Sequence, residues 1–325
     1  MGDVSEAKEV FTELKRQILE RVDLSRDVSD EEMQELIDEV VISYGKEQAV
    51  SLNERCRLKK ELFHALRKMD VLQELLEEPD VTEIMVNGMN GIFLEKDGTL
   101  SRWEKNFYSG ERILDVIRQI NGDASVHGCL IFRPLPKRFD DRRVQEALAP
   151  EKDVDGITDG SMAGVFTNMP IGYPPCTAQA CLEILKYYNV PLSGKRAVVV
   201  GRSLVVGKPA AMMLMGKNAT DTVCHTKTVN TAEICRKADI LVSAAGVLNS
   251  LTKDFVRPGQ VVIDVSINWD ANKPNAKGGL GGIAGDAKFD EVEPIVDAIT
   301  PVPGGVGSVT TSVLMKHVVE AAEKL

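Results

Sequence analysis

The residues best suited to chemistry lie in two glycine-rich stretches. In the first, Val198-Val-Val-Gly201-Arg202-Ser203-Leu-Val-Val-Gly207-Lys208-Pro209, an apolar run (197–200) leads in and a helix-forming run (210–215) leads out. A tight turn from strand to helix aims backbone N–H groups and the positive helix end at one point, which suits a phosphate. Gly201 permits the turn, and Gly207 lets the helix pack close to the strand. Ser203 stands where a common dinucleotide fingerprint has its middle glycine, so G-x-G-x-x-G is not met literally. The second stretch, Thr300-Pro-Val-Pro303-Gly304-Gly-Val-Gly307, is too rich in Gly and Pro for strand or helix. It predicts a rigid loop whose bare backbone a flat ligand can approach. Together they predict a dinucleotide site with a substrate lying across it.

A strand predicted at about 219–224 ends in His225-Thr226-Lys227-Thr228, with no carboxylate to accept from a ribose 2′-hydroxyl. Arg202, Thr226 and Lys227 offer donors to a 2′-phosphate instead, which favours NADP over NAD. Asp221 falls inside that strand, where an apolar residue would fit. Unpaired there, its carboxylate would cost several kcal/mol or take up a proton, and turned toward the cofactor it would repel a 2′-phosphate.

Strands at about 240–244 and 261–265, with helical stretches between them, complete an α/β, doubly wound parallel sheet. The methionines at 212, 213 and 215 read as core packing of its first helix. A length of 325 residues has room for two or three domains, and 43% hydrophobic with 27% charged residues fits a globular chain. No apolar run approaches the roughly 20 residues of a membrane span. The first residues lack a basic-then-apolar leader, so a cytoplasmic location is expected. Six cysteines form no C-x-x-C pair and do not cluster with the four histidines, which predicts reduced thiols and no metal site.

The net charge of −10 is carried entirely by residues 1–120, while the rest of the chain balances. So sharp a step suggests two segments of different origin, a chimera. Neither has the basic excess of a nucleic-acid binder. Within 1–120, Phe11, Leu14, Ile18 and Val22 repeat at helical spacing. Ser29 with Glu32, and Ser51 with Glu54, make capping boxes ahead of two further apolar repeats. Short strands at 81–86 and 92–95, turns at Asn87-Gly88 and Asp97-Gly98, and a closing helix near Ile113–Ile120 complete a small, mostly helical α+β module. The run from Leu72 through Asn87-Gly88 to Asp97-Gly98 resembles the N-terminal domain of tight-adherence and pilus-assembly secretion ATPases, over about residues 8–120. The G-x-x-x-x-G-K-[ST] loop of such motors is absent, since Gly201 and Gly207 have five residues between them and Pro209 replaces the hydroxyl, so ATP hydrolysis is not expected.

From Asn121 onward the chain resembles the bifunctional methylenetetrahydrofolate dehydrogenase/methenyltetrahydrofolate cyclohydrolase family. The pieces are Val126-His-Gly128, Pro134-Leu-Pro136, Pro150-Glu-Lys-Asp-Val-Asp155-Gly156, Pro175-Cys-Thr177, Gly201-Arg-Ser203, His225-Thr-Lys-Thr228, Ile263-Asp-Val-Ser-Ile-Asn268 and Ile299 to Gly307. The resemblance implies a Rossmann sheet, NADP as cofactor, a tetrahydrofolate derivative as substrate, and no nucleic-acid or membrane partner. It implies that Asp155 hydrogen-bonds the pterin, although Asp155 could instead be a turn carboxylate of Asp153-Val-Asp-Gly156. Pro303, Gly304 and Gly307 would shape the folate and nicotinamide pocket. In the loop before Pro134 the chain departs from the family's V-Q-L-P-L-P, with Phe132 at the Gln position, and Arg133 beside it is either a contact to the folate tail or to a pterin acceptor, or a surface or loop arginine. Thr177, Gly201, Arg202, Ser203, Gly207, Thr226 and Ile267 would surround the cofactor.

The implied organisation is a module at 1–120, a fragment of the folate-binding catalytic domain at 121–174, an NADP-binding domain at 175–300, and a loop and helix at 301–325 that return to the catalytic domain. The family's lysine, in a Tyr-x-x-x-Lys helix, orients folate and assists hydrolysis. No residue of 1–120 fits it, because Tyr44 and Lys46 are two apart and Lys59 and Lys60 have no tyrosine four residues earlier. The expected activity is NADP-dependent oxidation of methylenetetrahydrofolate followed by hydrolysis of the methenyl product. The alternatives are a non-catalytic NADP-binding remnant and an assembly module docking on a secretion ATPase. The pattern leaves room for a homodimer, and for a secretion-system partner reached through residues 1–120.

Overall fold

The computed structural model describes residues 2–22, 28–48, 50–86, 91–104, 110–131, 135, 140–274 and 280–324. They fall into two compact units, one of residues 1–123 with 131–147, the other of 124–130 with 148–325.

The first unit begins with three helices, α1 (Gly2–Arg21), α2 (Asp30–Glu47) and α3 (Leu52–Arg67). Phe11, Leu14 and Ile18 meet Met33, Ile37, Val40 and Val41 of α2 and Leu58, Leu62 and Ala65 of α3 in one buried cluster. These positions recur every three to four residues, so each helix turns a single apolar stripe inward. Ser29 and Glu32 form the full capping box: Glu32 N donates to Ser29 Oγ (3.2 Å) and Ser29 N to Glu32 Oε2 (3.1 Å). At Ser51 the hydroxyl accepts from Glu54 N (3.2 Å). After the short α4 (Gln73–Leu76) come β1 (Val81–Val86), β2 (Ile92–Lys96) and β3 (Thr99–Arg102), an antiparallel sheet in that order. Asp97 (φ 53°) and Gly98 (φ 70°) form the two-residue turn into β3, whose positive φ values match strand twist. β3 itself was not expected, because its Thr-Leu-Ser-Arg is exposed throughout and shows no alternation. Asn87-Gly88 lies outside the described residues. α5 (Gly110–Gly122) and α6 (Asp141–Ala147) complete the unit.

The second unit carries α7 (Asp159–Thr167), α8 (Cys176–Tyr187), β4 (Arg196–Val200), α9 (Gly207–Met215), β5 (Thr220–Cys224), α10 (Thr231–Arg236), β6 (Ile240–Ser243) and β7 (Val261–Asp264). The hairpin of β8 (Asn268–Pro274) and β9 (Leu280–Ala284) follows, then α11 (Phe289–Val292), β10 (Ala298–Ile299) and α12 (Val306–Glu323). Five strands form a parallel sheet in the order β10-β7-β6-β4-β5. Successive residues serve opposite layers. Ala197, Val199, Ile240, Val242 and Ile263 pack with α8, α9 and α12, whereas Val198, Leu241 and Val262 pack with Cys235, Ala238 and Val292. Both faces are covered, which is why β4, β6 and β7 are largely apolar, whereas the edge strand β5 is not. Leu214 is fully buried, Met212 and Met213 lean on the same core, and only Met215 of the methionine stripe is exposed.

Candidate functional site

In the order β10-β7-β6-β4-β5, β5 lies on one side of β4 and β6 on the other, so the direction of strand addition reverses there. Ligands of such sheets bind beyond the strand ends at that switch point. Gly201 follows β4 there, with φ +129°, and a Cβ on it would fall 2.3 Å from the carbonyl oxygen of Ala244, just past β6. A Cβ on Gly207 would fall 2.3 Å from Gly201's carbonyl oxygen. Both glycines are therefore required by contact, as the sequence predicted. Ser203 acts locally, its Oγ accepting from Val206 N (3.1 Å) and Gly207 N (3.4 Å) and so fixing the entry to α9. Arg202 and Thr226 are exposed at the ends of the neighbouring strands β4 and β5. Thr228 Oγ1 accepts from His225 N (2.8 Å), and His225 Nδ1 from Lys227 N (3.1 Å), so the segment after β5 is a self-bonded turn. The donor set is cationic and hydroxyl-bearing, and the turn begins and ends on glycine. These residues fit NADP.

Asp221 stands in mid-β5, paired with Ala197, three residues before the strand's end at Cys224. At about 3.3 Å per residue this keeps it away from the cofactor end of the strand, so the expected repulsion of a 2′-phosphate has no geometric basis. Both carboxylate oxygens are buried without a hydrogen-bond partner, and burial pushes the group up to about 6.

Around Asp155 the two acids of Asp153-Val-Asp155-Gly156 divide their labour. Asp153 is the turn carboxylate, accepting from Ile157 N (3.0 Å), Thr158 N (2.8 Å) and Ser161 Oγ (2.7 Å). Asp155 Oδ1 accepts from Cys176 N at 3.3 Å. Burial pushes Asp155 above the usual carboxylate range, against the Cys176 bond that pulls it down. Thr177 follows in the first turn of α8. Gly304 (φ +96°) and Gly307 each face open space where a side chain would begin, so the loop after Pro303 presents bare backbone. Lys273 of β8 donates to the carbonyl of Val302 (3.0 Å) and to that of Ile283 (2.7 Å), tying this loop to the hairpin. Ile267 is 69% exposed between β7 and β8. Arg133 lies outside the described residues.

Sequence reasoning missed Asp286. Fully buried after β9, it accepts from Ser243 Oγ (3.0 Å), Ala245 N (2.8 Å), Gly246 N (3.3 Å), Val247 N (2.8 Å), Ser266 Oγ (2.7 Å) and Asn268 Nδ2 (3.1 Å). These donors satisfy both oxygens of the buried carboxylate. Asp264 beside it accepts from Asp286 N (3.1 Å) and Ala287 N (2.8 Å). Asp286 thus fixes the loop after β6 and the Ser266-Ile267 segment together. Its only sequence signal was an acid following Gly-Gly-Ile-Ala-Gly.

Residues 175–325 match the family model for the tetrahydrofolate dehydrogenase/cyclohydrolase NAD(P)-binding domain. Residues 97–155 match that for the catalytic domain of the same enzymes, beginning ahead of the boundary expected at 121. The bifunctional protein FolD of Carboxydothermus hydrogenoformans is 56% identical over 209 residues, 64% of this chain and 71% of the relative. That of Alkaliphilus oremlandii is 40% identical over 267 residues, 79% of this chain and 91% of the relative. Among solved structures, the Campylobacter jejuni FolD dehydrogenase/cyclohydrolase superposes with a TM-score of 0.62 at 38% identity, covering 66% of this chain and 74% of its own. Trypanosoma brucei FolD, complexed with NADP cofactor and inhibitor, gives 0.61 at 33% identity, covering 66% and 73%.

Proposed function

Because the chain belongs to the tetrahydrofolate dehydrogenase/cyclohydrolase family, we propose that it oxidises 5,10-methylenetetrahydrofolate with NADP and hydrolyses the methenyl product to 10-formyltetrahydrofolate. The observation that carries the reading is the Gly201–Gly207 turn at the switch point, closed by backbone contact and flanked by Arg202 and Thr226. When bound, NADP supplies the acceptor for a hydride leaving the one-carbon bridge. The backbone from Gly201 to Gly207, with Ser203 fixing the turn, holds the pyrophosphate. Arg202 and Thr226 donate to the 2′-phosphate. Thr177 and Ile267 would lie beside the cofactor, and Asp286 holds the Ser266-Ile267 segment in place. Asp155, with its raised pKa, can accept from a pterin N–H, or donate once protonated. Pro303, Gly304 and Gly307 leave room for the flat pterin, and Arg133 would answer the acidic tail of folate.

The sequence divides the chain into a module of separate origin at 1–120, a folate-binding fragment at 121–174, an NADP-binding domain at 175–300 and a returning loop and helix at 301–325, and the catalytic-domain match from residue 97 moves the first of these boundaries forward. The resemblance of 1–120 to secretion-ATPase N-terminal domains and its −10 charge support a docking role there, and a homodimer belongs to the same reading. Among the described residues no helix is long and apolar enough to cross a membrane.

No Tyr-x-x-x-Lys occurs in 1–120, so oxidation should outrun hydrolysis. Recording NADPH and methenyltetrahydrofolate together tests this. Expected is NADPH formation with the methenyl form accumulating. NADP binding without turnover would leave the non-catalytic remnant, and hydrolysis keeping pace with oxidation would show that the family lysine has a substitute.

A further inference from the structure

His317 of α12 is 1% exposed. Its Nδ1 lies 2.9 Å from the carbonyl oxygen of Val154, and its Nε2 lies 2.9 Å from Gln179 Oε1. Gln179 donates its own Nε2 to Glu183 Oε1 (3.2 Å), which leaves the amide oxygen for the imidazole. A carbonyl oxygen cannot donate, so the bond to Val154 requires the proton on Nδ1. Nδ1 also lies 3.5 Å from Cys176 Sγ, and that thiol donates to the same Val154 carbonyl at 3.3 Å.

These contacts converge on Asp155 from both sides. Val154 is the residue before it, and Cys176 donates its backbone N–H to the Asp155 carboxylate. At Gly156, with φ +65°, a Cβ would fall 2.5 Å from Pro175 N and from the Tyr173 carbonyl oxygen, so the chain just after Asp155 is pressed against 173–175. Tyr173 flanks the imidazole with ring centroids 5.0 Å apart, and its hydroxyl accepts from Lys324 Nζ (3.1 Å). Burial lowers the pKa of His317. Held between acceptors on both of its nitrogens, the ring is a rigid spacer between α12, α8 and the Asp155 loop.

We propose that His317 is a positioning residue for Asp155: through Val154 and Cys176 it sets where the carboxylate meets the pterin. The proposal rests on the folate reading of Asp155. If it holds, losing the imidazole weakens folate recognition and leaves the remote Gly201 turn untouched.

The test uses the full chain and four variants: His317→Leu, His317→Asn, Asp155→Asn and the double Asp155→Asn/His317→Leu. Asparagine can place an amide N–H where Nδ1 stands, whereas leucine cannot. Tetrahydrofolate binding by calorimetry, NADP binding, and KM and kcat for methylenetetrahydrofolate are measured for each. Expected for His317→Leu is folate binding about tenfold weaker, the size of one lost hydrogen bond, with NADP affinity unchanged and His317→Asn recovering most of the loss. In the Asp155→Asn background the leucine substitution should add nothing, because both act on one contact. Additive losses, an equal loss of NADP affinity, or no recovery by asparagine would overturn the positioning role while leaving Asp155 in the site. Full folate binding by Asp155→Asn would overturn the reading of Asp155 and this proposal with it.

Discussion

A side-chain carbon on Gly201 would stand 2.3 Å from the carbonyl oxygen of Ala244. The ends of β4 and β6 therefore meet through bare backbone at the place where the strand order switches. With φ at +129°, an L residue at 201 is strained as well as crowded. Gly201→Ala should cost at least about 2 kcal/mol of stability and weaken NADP binding tenfold or more. Thermal unfolding and a fluorescence titration with NADP check both. Unchanged affinity in the folded variant would remove the turn from the cofactor site.

Arg202 is exposed and immediately follows that turn. Its guanidinium would contact only the 2′-phosphate, so Arg202→Ala should weaken NADP binding by about 1.5–3 kcal/mol, the range of a charged hydrogen bond. NAD binding should be nearly unaffected. The ratio of the two dissociation constants is the measurement, and an equal loss for both dinucleotides would place the arginine on the shared pyrophosphate instead.

Asp221 makes a pH-dependent prediction. Its pKa is raised from 3.8 to about 6 by burial alone. The folded chain holds this proton more tightly than the unfolded chain, so the contribution to stability is fully present below about 3.8 and is lost as pH rises through 6. Asp221→Val should therefore raise the melting temperature more at pH 7.5 than at pH 4.5. The difference is about 1–2 kcal/mol after allowance for partial solvent access. NADP affinity should not change, since Asp221 lies in mid-strand. Equal stabilisation at both pH values would mean that the carboxylate is solvated.

Much of the second unit was legible because its signals are local. An apolar run, a glycine that must turn and a helix-forming run lie side by side between Val198 and Met215, and contact confirms what spacing predicted for Gly201 and Gly207. The capping box at Ser29 and Glu32 is local in the same way. What escaped depends on distance. Asp286 collects donors from Ser243 to Asn268, and no window of sequence shows an acid meeting groups about 40 residues away. His317 reaches Val154 across 163 residues. The β8–β9 hairpin was missed because Asp-Ala-Asn-Lys-Pro and Gly-Gly disfavour strands, and pairing with each other overrides that preference. The sequence left Asp155 either a pterin contact or a turn carboxylate of Asp-Val-Asp-Gly, and the turn's donors go instead to Asp153, the acid two residues earlier.

If the Gly201 turn and the Asp155 corner serve one reaction, hydride transfer needs them both. The most direct measurement is the rate of NADPH appearance when the purified chain is mixed with NADP and 5,10-methylenetetrahydrofolate, run beside Gly201→Ala and Asp155→Asn. Turnover by the parent chain, with at least a tenfold loss in each variant, is the predicted result. No NADPH from the parent chain, or turnover indifferent to both substitutions, would contradict it.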